Sequence, residues 1–438
     1  MAGGTWMTQN KVRPGVYVRF DSEAGPMGTM GERGVVALPL KLSWGPARQV
    51  LEMPTGEATF ELLGYEVTDK ALLLVREAFK RAKTVLLYRL NEGTKAQATH
   101  QEWKAIARCG GVRGNDIVLV VRPNVLDDTK MDVITKVAGR EVDLQTVAQA
   151  EELKANAWVQ FEGSGALEAI AGLPLTGGDD GAATNEDHMN FLDALAVQDF
   201  HTVALPSEDK TLASVYTAFI KRMREEEGKK VQAVLPNYPL ADSEGVISVK
   251  NGVKLADGTV LGAAEACVWV AAATAAAAMN ESLTYTAYED AIDADVRLMN
   301  RQVEAALEAG EFVFVHQRGR AVVEQDINSF TSHSPDKGRV FSKNRVVRVL
   351  DGIANDMKQL FETSYVGKVN NNGDGRQLFR GECIAYLDQL VRLSAIQPFD
   401  AQTDVQVTSG DTSDSIVIQL AVQPVDAVEK IYMKVKVK

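Results

Sequence analysis

The sequence predicts a multidomain chain of α/β and α+β class: a doubly wound α/β domain, an inserted β-sandwich, a small α+β domain towards the C-terminus, and an extended strand arm at each end. Three observations carry this expectation. Strand-like and helix-like segments alternate between residues 182 and 330, as right-handed βαβ units and a mostly parallel sheet require. Short alternating runs bounded by glycine or charged turns fill 93–178, as in a sandwich. Both ends carry a period-two strand that belongs to no local hairpin. At 438 residues, 45% apolar and 24% charged, the chain is too long for one core, and roughly two to four domains are expected.

In chain order, residues 1–33 form an N-terminal arm and joint. Within "RPGVYVRF" the residues Val16, Val18 and Phe20 alternate with Gly15, Tyr17 and Arg19, Val12 precedes them, and Gly25, Gly28, Gly31 and Gly34 follow. Residues 34–92 make a small α/β unit packing with the central domain. There "GVVALPL" and "TVLLYRL" read as strands, and Ala71, Leu72, Val75, Ala78, Phe79 and Ala82 recur at helical spacing. The sandwich, 93–178, contains "DIVLVVRP", "MDVITKVAG" and "AWVQFEG". The doubly wound domain, 179–333, opens on a helix that Thr184 and Asp187 start as a capping box, and its strands include "TVALP", "VQAVLP" and "EFVFVHQ". Its run "ACVWVAAATAAAAM" is too short for the ~20 residues of a membrane span and reads as a buried helix. In 334–425 the residues Val346, Val347, Leu350, Ile353, Ala354, Met357, Leu360, Phe361 and Tyr365 mark one helix, and Leu378, Phe379, Leu387, Leu390 and Val391 a second; "TDVQVTSG" and "DSIVIQLAVQ" form a hairpin. The last arm, 426–438, alternates Ile431, Met433, Val435 and Val437 with Tyr432, Lys434, Lys436 and Lys438.

The net charge of −12 is unevenly placed. Residues 1–20 carry +3 and residues 429–438 another +3, leaving −18 between them. An acidic body argues against a nucleic-acid surface. Cys109, Cys267 and Cys383 match no metal or redox spacing and read as buried thiols of a reducing compartment. The start lacks a basic stretch followed by an apolar one, so no secretory signal is expected.

Ligand and catalytic patterns are weak. The sequence holds no G-x-S-x-G, H-E-x-x-H or G-x-x-x-x-G-K-[ST]. "NNNGDGR" resembles a calcium loop through Asn370, Asn372 and Asp374, but position twelve is Gly381 where a bidentate Glu is needed, so a helix-to-helix turn is expected. Asp179, Asp180, Glu186, Asp187 and His188 are explained by a loop and an acidic first helical turn. Ser332, His333 and Asp336 lie too near in sequence to be a triad, whose members come from separate elements. No catalytic residue, cofactor or metal is assigned; the rival expectation is a hydrolase-like α/β enzyme using the central domain.

The arms stand out instead. An unpaired terminal strand can complete a sheet in another molecule, with main-chain hydrogen bonds giving affinity and alternate side chains giving register. One arm is close to balance: about 1 kcal/mol net per hydrogen bond and ~1.5–3 kcal/mol per buried apolar side chain oppose ~1–2 kcal/mol per residue of backbone ordering. Many linked contacts are needed, and head-to-tail contacts of this kind extend into rings or helical filaments.

The chain resembles the contractile phage tail sheath family over essentially its whole length. The resemblance is carried by "RPGVYVRF", "VVALPL", "PLTGGDDG", "SFTSHSPDKGRVFSKNRVVRVLDGIANDM", "GRQLFRGECIAYLDQL" and "QPVDAVEKIYMKVKV", in that order and spacing. It implies a subtilisin-like central fold without its triad, a sandwich projecting outward, and subunits stacked helically around an inner tail tube, contracting on a baseplate signal to drive the tube through a bacterial envelope. The implied partners are neighbouring sheath subunits, the inner tube protein, and baseplate and tail terminator proteins, with no nucleic acid and no membrane insertion. The implied location is the virion tail or a phage-tail-like particle, assembled in the host cytoplasm. The arms, at 12–20 and 428–437, would cross into the C-terminal domains of neighbours, with joints at 25–34 and Pro424. Because that domain faces the tube in the family, Lys343, Arg345, Arg348, Asp356, Lys358 and Glu362 become candidate tube contacts.

Overall fold

The strand Val35–Leu40 shows how the largest sheet is made. Val36, Leu38 and Leu40 enter one core cluster while Ala37 enters the opposite one, so the strand is apolar on both faces. Thr84–Arg89 behaves the same way, with Val85 and Leu87 on one side and Leu86 and Tyr88 on the other. The computed structural model describes residues 31–437 and the backbone of Ala2–Gly4 and Gly15–Tyr17. It separates into two compact units, one of residues 32–355 with 425–438, the other of residues 1–31 with 356–424.

The larger unit is organised by a seven-stranded sheet in the order Glu311–Phe312, Val246–Val249, Gln232–Pro236, Thr202–Ala204, Val35–Leu40, Thr84–Arg89, Val50–Pro54. All pairings are parallel except the last, between Val50–Pro54 and Thr84–Arg89. The sequence divides these strands between a small unit and a central domain; the structure joins them in one sheet through Thr202↔Val36 and Val203↔Ala37. Helices cover both faces. The alanine-rich helix Ala263–Ala276 is buried along nearly its whole length, on the same side as Leu73–Phe79, and its small side chains allow close approach to the strands. On the other face lie Asn185–Ala196, with the expected Thr184–Asp187 capping box, and Lys210–Glu225.

Polar staples tie distant segments together. Buried Glu77 accepts from the Tyr288 hydroxyl (2.7 Å) and pairs with Lys80 (2.8 Å), while Glu289 pairs with Arg81 and accepts from the Trp269 indole. Glu77, Tyr288 and the Trp269 indole are out of water, so their pairings offset desolvation, while Arg81 and Glu289 are half-buried.

The inserted sandwich has a four-stranded sheet, Arg140–Val147, Met131–Val137, Ile117–Pro123, Ile170–Pro174, and a three-stranded one, Val159–Gly163, Trp103–Ala107, Gln97–His100. Between them lies a core containing Trp103, Ile117, Leu119, Val133 and Val159, with Trp44 stacked on Trp158 at 4.9 Å. The two ends of the insertion meet: Thr94 N–H donates to the Asp179 carbonyl (2.7 Å), and the Asn91 amide donates to the Asp180 carbonyl (2.6 Å). Gly93, at φ 71°, makes this closure possible, since a Cβ there would sit 2.3 Å from the Asp179 oxygen.

The smaller unit contains the helix Gly373–Arg392 and the antiparallel hairpin Val405–Ser409 with Ile416–Leu420, packed around Leu360, Tyr365 and Phe379. The expected turn is confined to Asn370–Asn372, and the rest of the stretch is the first turn of a helix: Asn372 caps Gly373–Arg392 through Gly375 N–H, and Asn371 donates to the carbonyls of Ser413 and Ser415. No helix among the described residues is long and apolar enough to cross a membrane.

His201 couples the sheet to pH. Val35 N–H donates to its Nδ1 (3.3 Å), and burial, with the nearby Arg33 charge, lowers its pKa to about 3. The unfolded chain takes up this proton near the usual ~6.5 while the native state resists, so the contribution is present above ~6.5 and stability falls as pH drops from there towards the folded value. Replacing His201 with Gln should flatten the decline of the urea midpoint between about pH 6.5 and about pH 4, removing roughly 1 kcal/mol per pH unit.

Candidate assembly interface

The chain is fixed at Pro424, which bridges to Ile396, while Gln397 N–H donates to the Gln423 carbonyl (2.8 Å) within the smaller unit. It is fixed again on the larger unit at a single side chain. Glu429 is 11% exposed; its Oε1 accepts from Thr284 Oγ1 (2.9 Å), and its Oε2 accepts from Gln325 Nε2 and Lys343 Nζ. Burial alone would raise this carboxyl, but the hydrogen bonds from Lys343, Gln325 and Thr284 and the lysine charge hold it below the usual range.

Beyond Glu429 the chain is uncovered. Residues 425–437 join no strand, and Ile431, Met433, Val435 and Val437 are 78, 81, 75 and 94% exposed. The apolar alternation read from sequence therefore has no sheet to serve among the described residues of its own chain. Four aliphatic side chains in a period-two row are a contiguous stripe rather than scattered exposure.

The platform under Glu429 is a buried polar network. Asp326 accepts from Asn344 Nδ2 (2.9 Å) and Leu283 N–H (3.1 Å) and lies 3.5 Å from the Arg348 guanidinium, each of the ion-paired side chains being 1% exposed. Arg348 also donates to the Glu281 carbonyl (2.6 Å), and Asp326 N–H donates to Thr284 Oγ1 (3.0 Å), the hydroxyl that binds Glu429. Arg348 is thus corrected from a candidate tube contact to an interior group, because its charge is committed to Asp326. Lys343 is committed to Glu429 and half-buried, and Arg345 is half-buried. In the smaller unit Asp356 accepts from the Tyr386 hydroxyl (2.7 Å), Lys358 is half-buried and Glu362 is exposed.

At the N-terminus Val16 lies in Gly15–Tyr17, which pairs in parallel with Ala2–Gly4, so this strand has a partner in its own chain. Val12, Val18 and Phe20 lie outside the described residues. Sequence reasoning missed Glu429 as an anchor. The available signal is that it is the one acid among the last ten residues.

A doubly wound fold places an active site at the carboxyl ends of its strands. Val35–Leu40 and Thr202–Ala204 form the switch point of the sheet, and a crevice of about 480 Å³ lies beyond their carboxyl ends, lined by Lys41, Asn185, His188, Ser207 and Asp209. Its groups serve the fold. Asp209 caps Lys210–Glu225 through Thr211 N–H (2.7 Å), Thr184 and Asp187 form the reciprocal capping box of Asn185–Ala196, and Ser207 Oγ accepts from Asp209 N–H. His188 Nδ1 shares a hydrogen bond with the buried Tyr216 hydroxyl (2.9 Å), and burial lowers its pKa. His333 bonds Ser342, and Ser332 bonds Asp242. Among the described residues no group of His, Cys, Asp and Glu is arranged to hold a metal ion.

The fold and its uncovered terminal segment point to a structural assembly subunit, and comparison with known proteins defines the class. Four domain families match in succession: the tail sheath protein Gp18 domain III N-terminal region at 33–90, the phage tail sheath β-sandwich domain at 91–180, the phage tail sheath central domain at 181–329 and the phage tail sheath C-terminal domain at 336–438. The chain belongs to the phage tail sheath protein family. A sheath tail protein from Desulfitobacterium hafniense is 52% identical, with a TM-score of 0.88 over 97% of this chain and 100% of that one. The phage-like element PBSX protein XkdK of Bacillus subtilis is 40% identical across the full length of both chains. The contracted helical sheath of the anti-feeding prophage shares the fold at a TM-score of 0.58 and 14% identity, over 97% of this chain and 99% of that one.

The buried pair gives a direct check. Arg348→Ala leaves Asp326 uncompensated and should lower unfolding free energy by about 3–5 kcal/mol, read as a shift in urea midpoint, whereas Glu362→Ala should change it by less than about 0.5 kcal/mol.

Proposed function

We propose that this sheath subunit assembles as a helical lattice around an inner tail tube by exchanging terminal strands with its neighbours, and that the lattice contracts to drive the tube through a bacterial envelope. The observation that carries the reading is the C-terminal segment: four alternating aliphatic side chains, 75–94% exposed, on a stretch that joins no strand among the described residues of its own chain. The acceptor is the hairpin Val405–Ser409 with Ile416–Leu420 of another copy. It has only two strands among the described residues, so its outer edges are open, and Ile416 and Ile418 border an apolar groove with Phe361, Tyr365 and Phe379. The N-terminal arm, 12–20, is the second donor.

Charge supports the same pairing. Lys434, Lys436 and Lys438 alternate with the aliphatic residues, and the body they approach is acidic. The partners are other copies of the chain, the inner tube protein, and baseplate and terminator proteins at the ends of the stack. The role is structural, without catalysis. The particle is a virion tail or phage-tail-like assembly built in the host cytoplasm, and within it residues 34–92 and 179–333, which share one sheet, move as one body. Residues 356–364 and the helix Gly373–Arg392 supply the tube-facing surface, with Glu362 among its exposed residues.

Electron microscopy of concentrated protein with and without residues 431–438 tests the reading. Rings or tubes from the full chain that vanish on truncation are expected; a truncated chain that assembles as well as the full one rules out arm exchange.

A further inference from the structure

Glu429 is where the terminal segment stops being part of its own subunit. Its two carboxylate oxygens take donors from three places in the chain: Thr284, Gln325 and Lys343. Two of these are themselves held: Thr284 Oγ1 accepts from Asp326 N–H, and Lys343 forms a backbone bridge with Ile327. The residues on either side are open to solvent, with Val428 83% and Ile431 78% exposed. One deeply seated, fully partnered carboxylate in an otherwise exposed segment is a point attachment.

We propose that Glu429 is a positioning residue, a mooring that fixes where the donor strand begins, so that only residues 430–437 reach the neighbouring subunit. The proposal rests on the arm-exchange reading and adds to it an origin and a length. Measured from Glu429, the eight residues to Val437 span about 26 Å when extended; measured from Pro424, thirteen residues would span about 43 Å. The shorter tether concentrates the strand at its acceptor. With local concentration falling as the −3/2 power of length, releasing the mooring dilutes the strand about twofold at each contact. Phase is set as well. Glu429 is in step with Ile431, Met433, Val435 and Val437, so in a strand the face that holds the arm to its own body continues as the face offered to the next subunit.

Two insertions separate a moored arm from a loose one. A Gly-Ser pair placed between Lys430 and Ile431 lengthens the donor while keeping its phase; the same pair between Asp426 and Ala427 lengthens only the chain before the mooring. The minimum protein concentration for assembly, read by light scattering and electron microscopy, should rise about 1.4-fold per contact for the first, or about two- to fourfold over two to four linked contacts, and should not change measurably for the second. Glu429→Ala should raise it about twofold at each contact, with at most a small fall in the melting temperature of the unassembled protein as half-buried Lys343 loses its partner. Exchanging the charges, E429K with K343E, should restore assembly, because a threonine hydroxyl and a glutamine amide partner either sign. Equal sensitivity to the two insertions, or a Glu429→Ala chain that assembles as the unaltered one does, overturns the mooring. Arm exchange itself fails only if removal of residues 431–438 leaves assembly intact.

Discussion

A carboxylate cannot be taken out of water without partners, and in this chain the demands of Asp326 organise the ground on which the terminal arm stands. Its oxygens draw in the Arg348 guanidinium, the Asn344 amide and the Leu283 amide, and its own N–H reaches Thr284. A pair this deep offers little net stability compared with apolar packing of the same volume. What it supplies is fixed direction: Thr284 and Lys343 are held where both can meet Glu429. The arm's exit is therefore set by interior electrostatics, several residues away from any strand-to-strand contact.

Much of this architecture was legible because it follows from local periodicity. The alanine-rich run had to be a buried helix, Thr184 and Asp187 had to start one, and the alternation at 416–420 had to be a strand. Sheet membership was another matter. Val35–Leu40 meets Thr202–Ala204 across more than a hundred and sixty residues of chain, including the whole sandwich, and no spacing rule reports such a pairing. Arg348 shows the complementary failure. A long cationic side chain on an amphipathic helix looks like surface until Asp326, from another segment, is found opposite it. Glu429 was visible only as one negative charge among lysines, since its three donors lie far from it in sequence.

The crevice at the sheet's switch point explains why a fold so often used for catalysis can serve a structural role. Helix N-termini attract ligands when their amide donors are free. Here Asp209 and the Thr184–Asp187 box take up those donors, and His188 is turned to Tyr216. The polar groups at this place hold the two helices on the sheet.

The neck of the sandwich has a consequence of a different kind. Thr94 and Asp179 are neighbours in space, joined by main-chain hydrogen bonds, and Asn91 ties both sides to the segment after Val35–Leu40. The body meets the inserted domain at more than this neck, since its Trp44 and Phe60 pack against Trp158 in the sandwich and Arg113 donates to the Gly64 carbonyl (2.7 Å). Such a junction makes sandwich and sheet one mechanical piece, so a load on the module passes to the body through packed aromatics as well as through the two ends of the insertion.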